Sequence, residues 1–93
     1  MKIIIAGAGE VGTHLAKLLS REEQDIILID NDEEKLRELD ANYNLMTVIG
    51  NPTAFQTLKQ AQVYKADLFI AVMPFESRNI MACTMASKLG AKK

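Results

Sequence analysis

Apolar and polar positions fall in blocks along this chain, and the spacing within the blocks alternates between two kinds. Residues 2–6, Lys-Ile-Ile-Ile-Ala, form a short apolar run that ends at glycine, as a buried strand does. From Glu10 to Ser20 the apolar residues Val11, Leu15, Ala16, Leu18 and Leu19 recur at helical spacing. Residues 26–30, Ile-Ile-Leu-Ile-Asp, make a second run of strand length. Residues 31–42 then predict a helix, with Asn31 or Asp32 as its cap, acidic residues in its first turn, and Leu36 and Leu39 as its apolar stripe. A third strand is expected over 45–49, stopped by Gly50, followed by a helix that Pro52 and Thr53 open, with Ala54, Leu58 and Ala61 inward. Residues 67–72 predict a fourth strand, and 76–89 a last helix ended by Gly90.

Strands that are apolar throughout and alternate with helices belong to a parallel sheet covered on both faces. Right-handed crossovers turn that order into an α/β fold of the Rossmann-like, doubly wound kind, with four strands in the order 3-2-1-4. The 93 residues suffice for one domain, 1–93. The net charge is −1 with both signs interspersed, which leaves no basic stripe for nucleic acid. A single cysteine, Cys83, permits no internal disulfide and suits a reducing, cytoplasmic compartment. No apolar run approaches the length of a membrane span, so direct membrane insertion is not expected.

The chemistry concentrates where the first strand meets the first helix. Gly7, Gly9 and Gly12 spell G-x-G-x-x-G there. In a strand–turn–helix context the first glycine allows the tight turn, the second lets a pyrophosphate approach bare backbone, and the third lets helix and sheet pack closely. The helix N-terminus adds unpaired N–H groups and the positive end of its dipole. Asp30 closes the second strand about 20 residues further on, where an acid can accept hydrogen bonds from both ribose hydroxyls. Its charge repels a 2′-phosphate and so favours NAD-type or adenine nucleotides over NADP. The 7–12 loop contains no lysine or arginine, and Glu10 sets a negative charge beside the expected phosphates. Backbone donors must then do most of the neutralising, or a cation must come from another segment or chain.

With those residues in place, the segments MKIIIAGAGEVGTHLAKLL, DIILIDNDEEKLREL, VIGNPT and ADLFIAV, with an asparagine beyond it and LGAKK at the end, resemble the N-terminal nucleotide-binding domain of TrkA-type regulatory subunits of Trk potassium uptake systems, the class called RCK or KTN. The resemblance covers essentially the whole chain. It implies a cytoplasmic domain, peripheral to the inner face of the cell membrane, that binds NAD or NADH, or in relatives ATP and ADP. It further implies that nucleotide exchange reshapes a dimeric or larger homo-oligomer acting on a potassium-translocating membrane subunit. By position, Gly7, Ala8, Gly9, Glu10 and Val11, with Gly12 of the same motif, would line the pyrophosphate and Asp30 would hold the adenosine ribose. Asn31 and Asp32 would border the adenine side, Asn51, Pro52 and Thr53 would form the loop beside the adenine, and Ala71, Val72 and Met73 would lie near the second half of the ligand. The family usually has aspartate at Asn51, threonine at Met73 and Asp-Glu at Glu76-Ser77, while Asn79 matches. The chain stops where the family would begin a fifth strand, so a truncated domain with a bare edge on the fourth strand is expected.

Outside the glycine corner the residues point to packing. His14 is the only histidine and cannot by itself make a metal site, and Cys83 reads as a small hydrophobe. On the last helix, Met81, Ala82, Met85, Ala86 and Leu89 form an arc expected to face the sheet, while Ile80 and Cys83 fall outside it and are expected in a subunit contact. No catalytic pair is visible. The function expected is therefore a regulatory binding module without enzymatic activity. The alternative is the cofactor-binding fragment of an NAD-dependent dehydrogenase, which has the same fold.

Overall fold

The structure is a computed structural model that describes residues 1–93. Its strands are β1 (Lys2–Ala6), β2 (Asp25–Asp30), β3 (Met46–Ile49) and β4 (Leu68–Ala71), and its helices are α1 (Glu10–Ser20), α2 (Glu33–Asn42), α3 (Phe55–Gln60) and α4 (Glu76–Lys88). All strand pairs are parallel and lie in the order β3-β2-β1-β4, as the helix–strand alternation requires. Ile4 stands opposite Ile27 on one side and Phe69 on the other, so β1 occupies the centre of the sheet with β2 and β4 flanking it.

The unbroken apolar runs follow from burial on both faces. Ile3 and Ile5 point with Ile26 and Leu28 to a core completed by Ala16, Leu36, Leu39 and Leu45, under α1 and α2. Ile4 and Ala6 point with Ile27 and Ile29 to a second core with Leu58, Ala61, Val63, Ala82 and Ala86, under α3 and α4. Each fully buried isoleucine or leucine contributes about 1.5–3 kcal/mol, so the two central strands are the main source of stability. A one-residue slip of either strand would exchange its two faces wholesale.

Some elements depart from the expected bounds. Helix α3 starts at Phe55 and not at Pro52-Thr53, because the Asn51 side-chain oxygen accepts from the Thr53 N–H at 2.9 Å and from its hydroxyl at 2.7 Å. That side chain holds 51–54 as a turn, with the Ala54 N–H donating to the Asn51 carbonyl at 3.0 Å. A 3₁₀ turn over Val63–Lys65 has no expected counterpart; it is entered through Gln62 in the left-handed region at φ 60°. On α4 the buried line runs through Ala82 and Ala86, flanked by the half-buried Met85 and Leu89. Met81 is 53% exposed, contrary to the expected arc, because one helical step carries it about 100° round from Ala82. Cys83 is exposed and not packed.

The outer edge of β4 is not bare along its whole length. The Phe69 N–H donates to the Lys93 carbonyl at 2.7 Å and the Lys92 N–H to the Ala66 carbonyl at 3.1 Å. Asp67 ties the same end together, accepting from the Lys2 N–H at 2.8 Å and from the Lys92 ammonium at 3.3 Å. The hydrogen bond from the Lys2 backbone, and after it the one from Lys92, hold the Asp67 carboxyl below the usual carboxylate range. No helix is long and apolar enough to cross a membrane.

Candidate functional site

At the carboxyl end of the sheet, where β1 parts company with its neighbours, the chain turns sharply into α1. Gly7 makes the turn at φ +114°, a backbone conformation that L side chains rarely adopt. Its N–H donates to the Ile29 carbonyl at 2.8 Å, and the Val72 N–H donates to the Ala6 carbonyl at 2.9 Å, so the corner is anchored to both flanking strands. Gly12 is buried, and a Cβ built on it would run into the Gly7 carbonyl. That close approach is what lets α1 lie on the sheet. Gly9 is different: it is exposed, and a Cβ there would meet nothing within 4 Å. The space over Gly9 is therefore open to something other than protein.

Helix α1 begins at that opening without a side-chain cap, Gly9 being its N-cap residue. Its first-turn N–H groups are left for solvent or for a bound anion. Helix α2, by contrast, is closed by Asp32, whose side chain accepts from the Lys35 N–H at 3.2 Å. A crevice of about 410 Å³ spans the corner, within the size range of small-ligand sites. Its walls follow from the strand order. Asp30, Asn31, Asp32 and Lys35 come from the β2 side, Gly7, Ala8 and Gly9 from the centre, Met73, Pro74 and Arg78 from the β4 side, and Asn51 and Pro52 from beyond β3. A wider, more open groove of about 820 Å³ runs beside it along α1 and shares Gly9 and Lys35 with it.

The structure thus gathers Gly7, Ala8, Gly9, Asp30, Asn31, Asp32, Asn51, Pro52 and Met73 around one space. Glu10 and Val11 lie instead along the neighbouring groove, both exposed on the first turn of α1. Gly12 acts within the protein. Ala71 and Val72 are half-buried in and just after β4, with Val72 packed toward Gly12. Thr53 stands behind Asn51 and occupies that side chain's oxygen with both its N–H and its hydroxyl. Asp30 is half-buried, and one carboxylate oxygen accepts from the Asn31 N–H at 3.0 Å. Lys35, Pro74 and Arg78 belong to the lining but escape a reading of the glycine motif, because each sits on a different segment and only chain folding brings them to it.

The β4 wall is held by one side chain. Asn79 accepts from the Met73 N–H at 2.7 Å and donates to the Met73 carbonyl at 2.9 Å, pairing both backbone groups of that residue from α4. Asn79→Ala would leave both unpartnered at a half-buried position. It is expected to cost about 1–3 kcal/mol in chemical unfolding, with faster amide exchange at Met73. Unchanged stability and exchange would show that the clamp is dispensable.

With this geometry in view, the comparisons with known proteins are direct. The family model described as the TrkA-N domain matches residues 3–93. The chain is 45% identical over 89 residues to the Trk system potassium uptake protein TrkA of Halomonas elongata, covering 96% of this chain and 20% of that protein. It is 35% identical over 92 residues to the Trk system potassium uptake protein TrkA homolog of Pyrococcus abyssi, covering 99% of this chain and 40% of that one. The chain therefore spans between a fifth and two fifths of the length of these relatives. Among solved structures, the Kef C-terminal domain of Shewanella denitrificans in AMP-bound form superposes with a TM-score of 0.79 at 20% identity, over 95% of this chain and 52% of that one. ChuY, an anaerobillin reductase from Escherichia coli, does so with a TM-score of 0.78 at 16% identity, over 98% and 47%. At these identities the two structures speak for the fold.

Proposed function

Because the chain belongs to the TrkA-N domain family, we propose that it is a nucleotide-binding regulatory module of a Trk-type potassium uptake system. Its ligand is an adenine nucleotide, NAD or NADH, with ATP and ADP as the alternatives. The observation that carries this reading is the open space over Gly9: bare backbone and an uncapped helix N-terminus face a crevice whose opposite wall presents Asp30. The amides take the diphosphate and the carboxylate takes the ribose hydroxyls. The AMP held by the Kef domain, on the same fold, supports the class of ligand.

The module acts by binding and not by turnover. The part of the crevice beyond the phosphates is lined by Met73, Pro74 and Arg78, none of them a side-chain type that serves as a general acid or base. Regulation then comes from differential affinity: a nucleotide that fits one arrangement of a homo-oligomer better shifts the assembly toward it, by about 1–3 kcal/mol of coupling. The partner acted upon is the potassium-translocating membrane subunit, which places the module at the cytoplasmic face of the membrane. The exposed side of α4, with Ile80 and Cys83, serves as the contact between copies.

Titration calorimetry with NAD, NADH, ATP and ADP tests the reading. At least one of the four is expected to bind, and Asp30→Ala is expected to weaken it by about 2–3 kcal/mol, the worth of hydrogen bonds to a charged acceptor, without moving the unfolding midpoint. Equal affinity in the variant would remove the ribose assignment. Formation of NADH from NAD with any alcohol or hydroxy acid would establish the dehydrogenase alternative instead.

A further inference from the structure

The glycine corner has no cation of its own, and Glu10 stands exposed beside it. Positive charge reaches the crevice from two other segments. Of the 12 lining residues only Lys35 and Arg78 are cationic, against Asp30 and Asp32. Neither cation is spent on an ion pair, since the two salt bridges of the molecule are Arg37–Glu33 and Lys92–Asp67. Lys35 shares its wall with both aspartates. Arg78 stands on the β4 wall with Met73 and Pro74, away from them.

Arg78 is also held in place. It lies in the first turn of α4, and its backbone N–H donates to the Phe75 carbonyl at 3.1 Å. Its guanidinium sits 4.9 Å from the centroid of the Phe75 ring. A cation–π contact restrains the group while leaving its N–H edges free to meet the oxygens of an anion. The loop beneath it is the one that Asn79 fixes through both backbone groups of Met73.

The strand order says what this cation would meet. With Asp30 on β2 at the ribose, and the glycine corner after β1 at the first phosphates, a ligand continuing in the same direction brings its distal half to β4. Resting on the nucleotide reading above, we propose that Arg78 reads the charge of that distal half. It favours a nucleoside triphosphate, whose outermost phosphate extends past the glycine corner and accepts two parallel hydrogen bonds from the guanidinium fork. It disfavours the cationic nicotinamide ring of an oxidised dinucleotide relative to the neutral ring of the reduced form, because like charges at close range repel. Arg78 is thus a specificity-determining residue for the site, and it ties ligand choice to phosphorylation and redox state through charge alone.

The test measures ADP, ATP, NAD and NADH against the parent chain, Arg78→Gln, Arg78→Lys and Asp30→Ala, at matched low and high ionic strength. The parent is expected to prefer ATP to ADP and NADH to NAD, with both preferences smaller at high salt. Arg78→Gln should bind ATP about tenfold more weakly and ADP almost unchanged, one charge-assisted contact having been lost. In the same variant the NADH-to-NAD preference should fall toward unity. Arg78→Lys keeps the charge without the fork, so it should keep the redox preference and lose part of the ATP affinity. Asp30→Ala should weaken all four ligands by a similar factor. Parent-like ATP affinity together with a parent-like NADH-to-NAD ratio in Arg78→Gln overturns the proposal while leaving the nucleotide site standing. Absence of binding by the folded parent to any of the four removes the site itself, and this role for Arg78 with it.

Discussion

Replacing Gly12 by alanine is expected to destabilise the chain by about 3 kcal/mol, the upper end of the range for overpacking a close contact. A single methyl at this position has nowhere to go. The added carbon points at the Gly7 carbonyl, and the Val72 side chain stands only 3.2 Å from it. Backbone cannot swing aside as a flexible side chain does, so either α1 lifts from the sheet or the corner at Gly7 opens. Lifting α1 withdraws Ala16 from the core it shares with Ile3, Ile5 and Leu28. Opening the corner breaks the hydrogen bond from Gly7 to Ile29. In a chain of this size a loss of that magnitude lowers the thermal midpoint by roughly 12–24 °C. A midpoint within about 2 °C of the parent would mean that the helix has slack not evident in the packing.

Gly9→Val is expected to show the opposite profile. The backbone there is extended, at φ −74° and ψ −163°, a conformation any residue adopts, and nothing lies within 4 Å of the added carbon. The variant should fold with the parent's midpoint. The isopropyl group, however, fills the space over the helix N-terminus that a diphosphate needs. Affinity for whichever nucleotide binds the parent should fall about 100-fold, or about 2.7 kcal/mol. Undiminished affinity in a folded Gly9→Val chain would show that the ligand sits elsewhere. The two variants together test the division that the motif's spacing already implies, Gly12 as the glycine that packs and Gly9 as the one that leaves room for a ligand.

The division extends to the rest of the site. Asp30, Asn31 and Asp32 are legible because they end a strand and begin a helix, and the strand is visible as an apolar run. The turn at 51–54 was legible in part: Pro52 and Thr53 announce a break, but only the Asn51 side chain, bonded to Thr53, delays the helix to Phe55. The outward turn of Met81 was not legible, since a helix with apolar residues on several sides does not declare which side faces the sheet. Small residues decided it. Ala82 and Ala86 let α4 approach closely, and their line became the buried one.

What the sequence by itself determined is therefore everything encoded over a few neighbouring residues: the strand and helix order, the parallel sheet that order compels, the glycine corner, and the acid across from it. Their physics is local, because backbone freedom at glycine, apolar periodicity and helix capping act within a turn or a strand. The tertiary structure decided which side chains from distant segments share one space. It set Lys35 and Arg78 on opposite walls of a crevice whose own loop has no cation, put Arg78 in cation–π contact with Phe75, and laid Lys92 and Lys93 along the edge of β4. Those placements depend on the rotation and docking of whole helices against the sheet, which is settled by packing summed over both cores and has no counterpart in any short stretch of the chain.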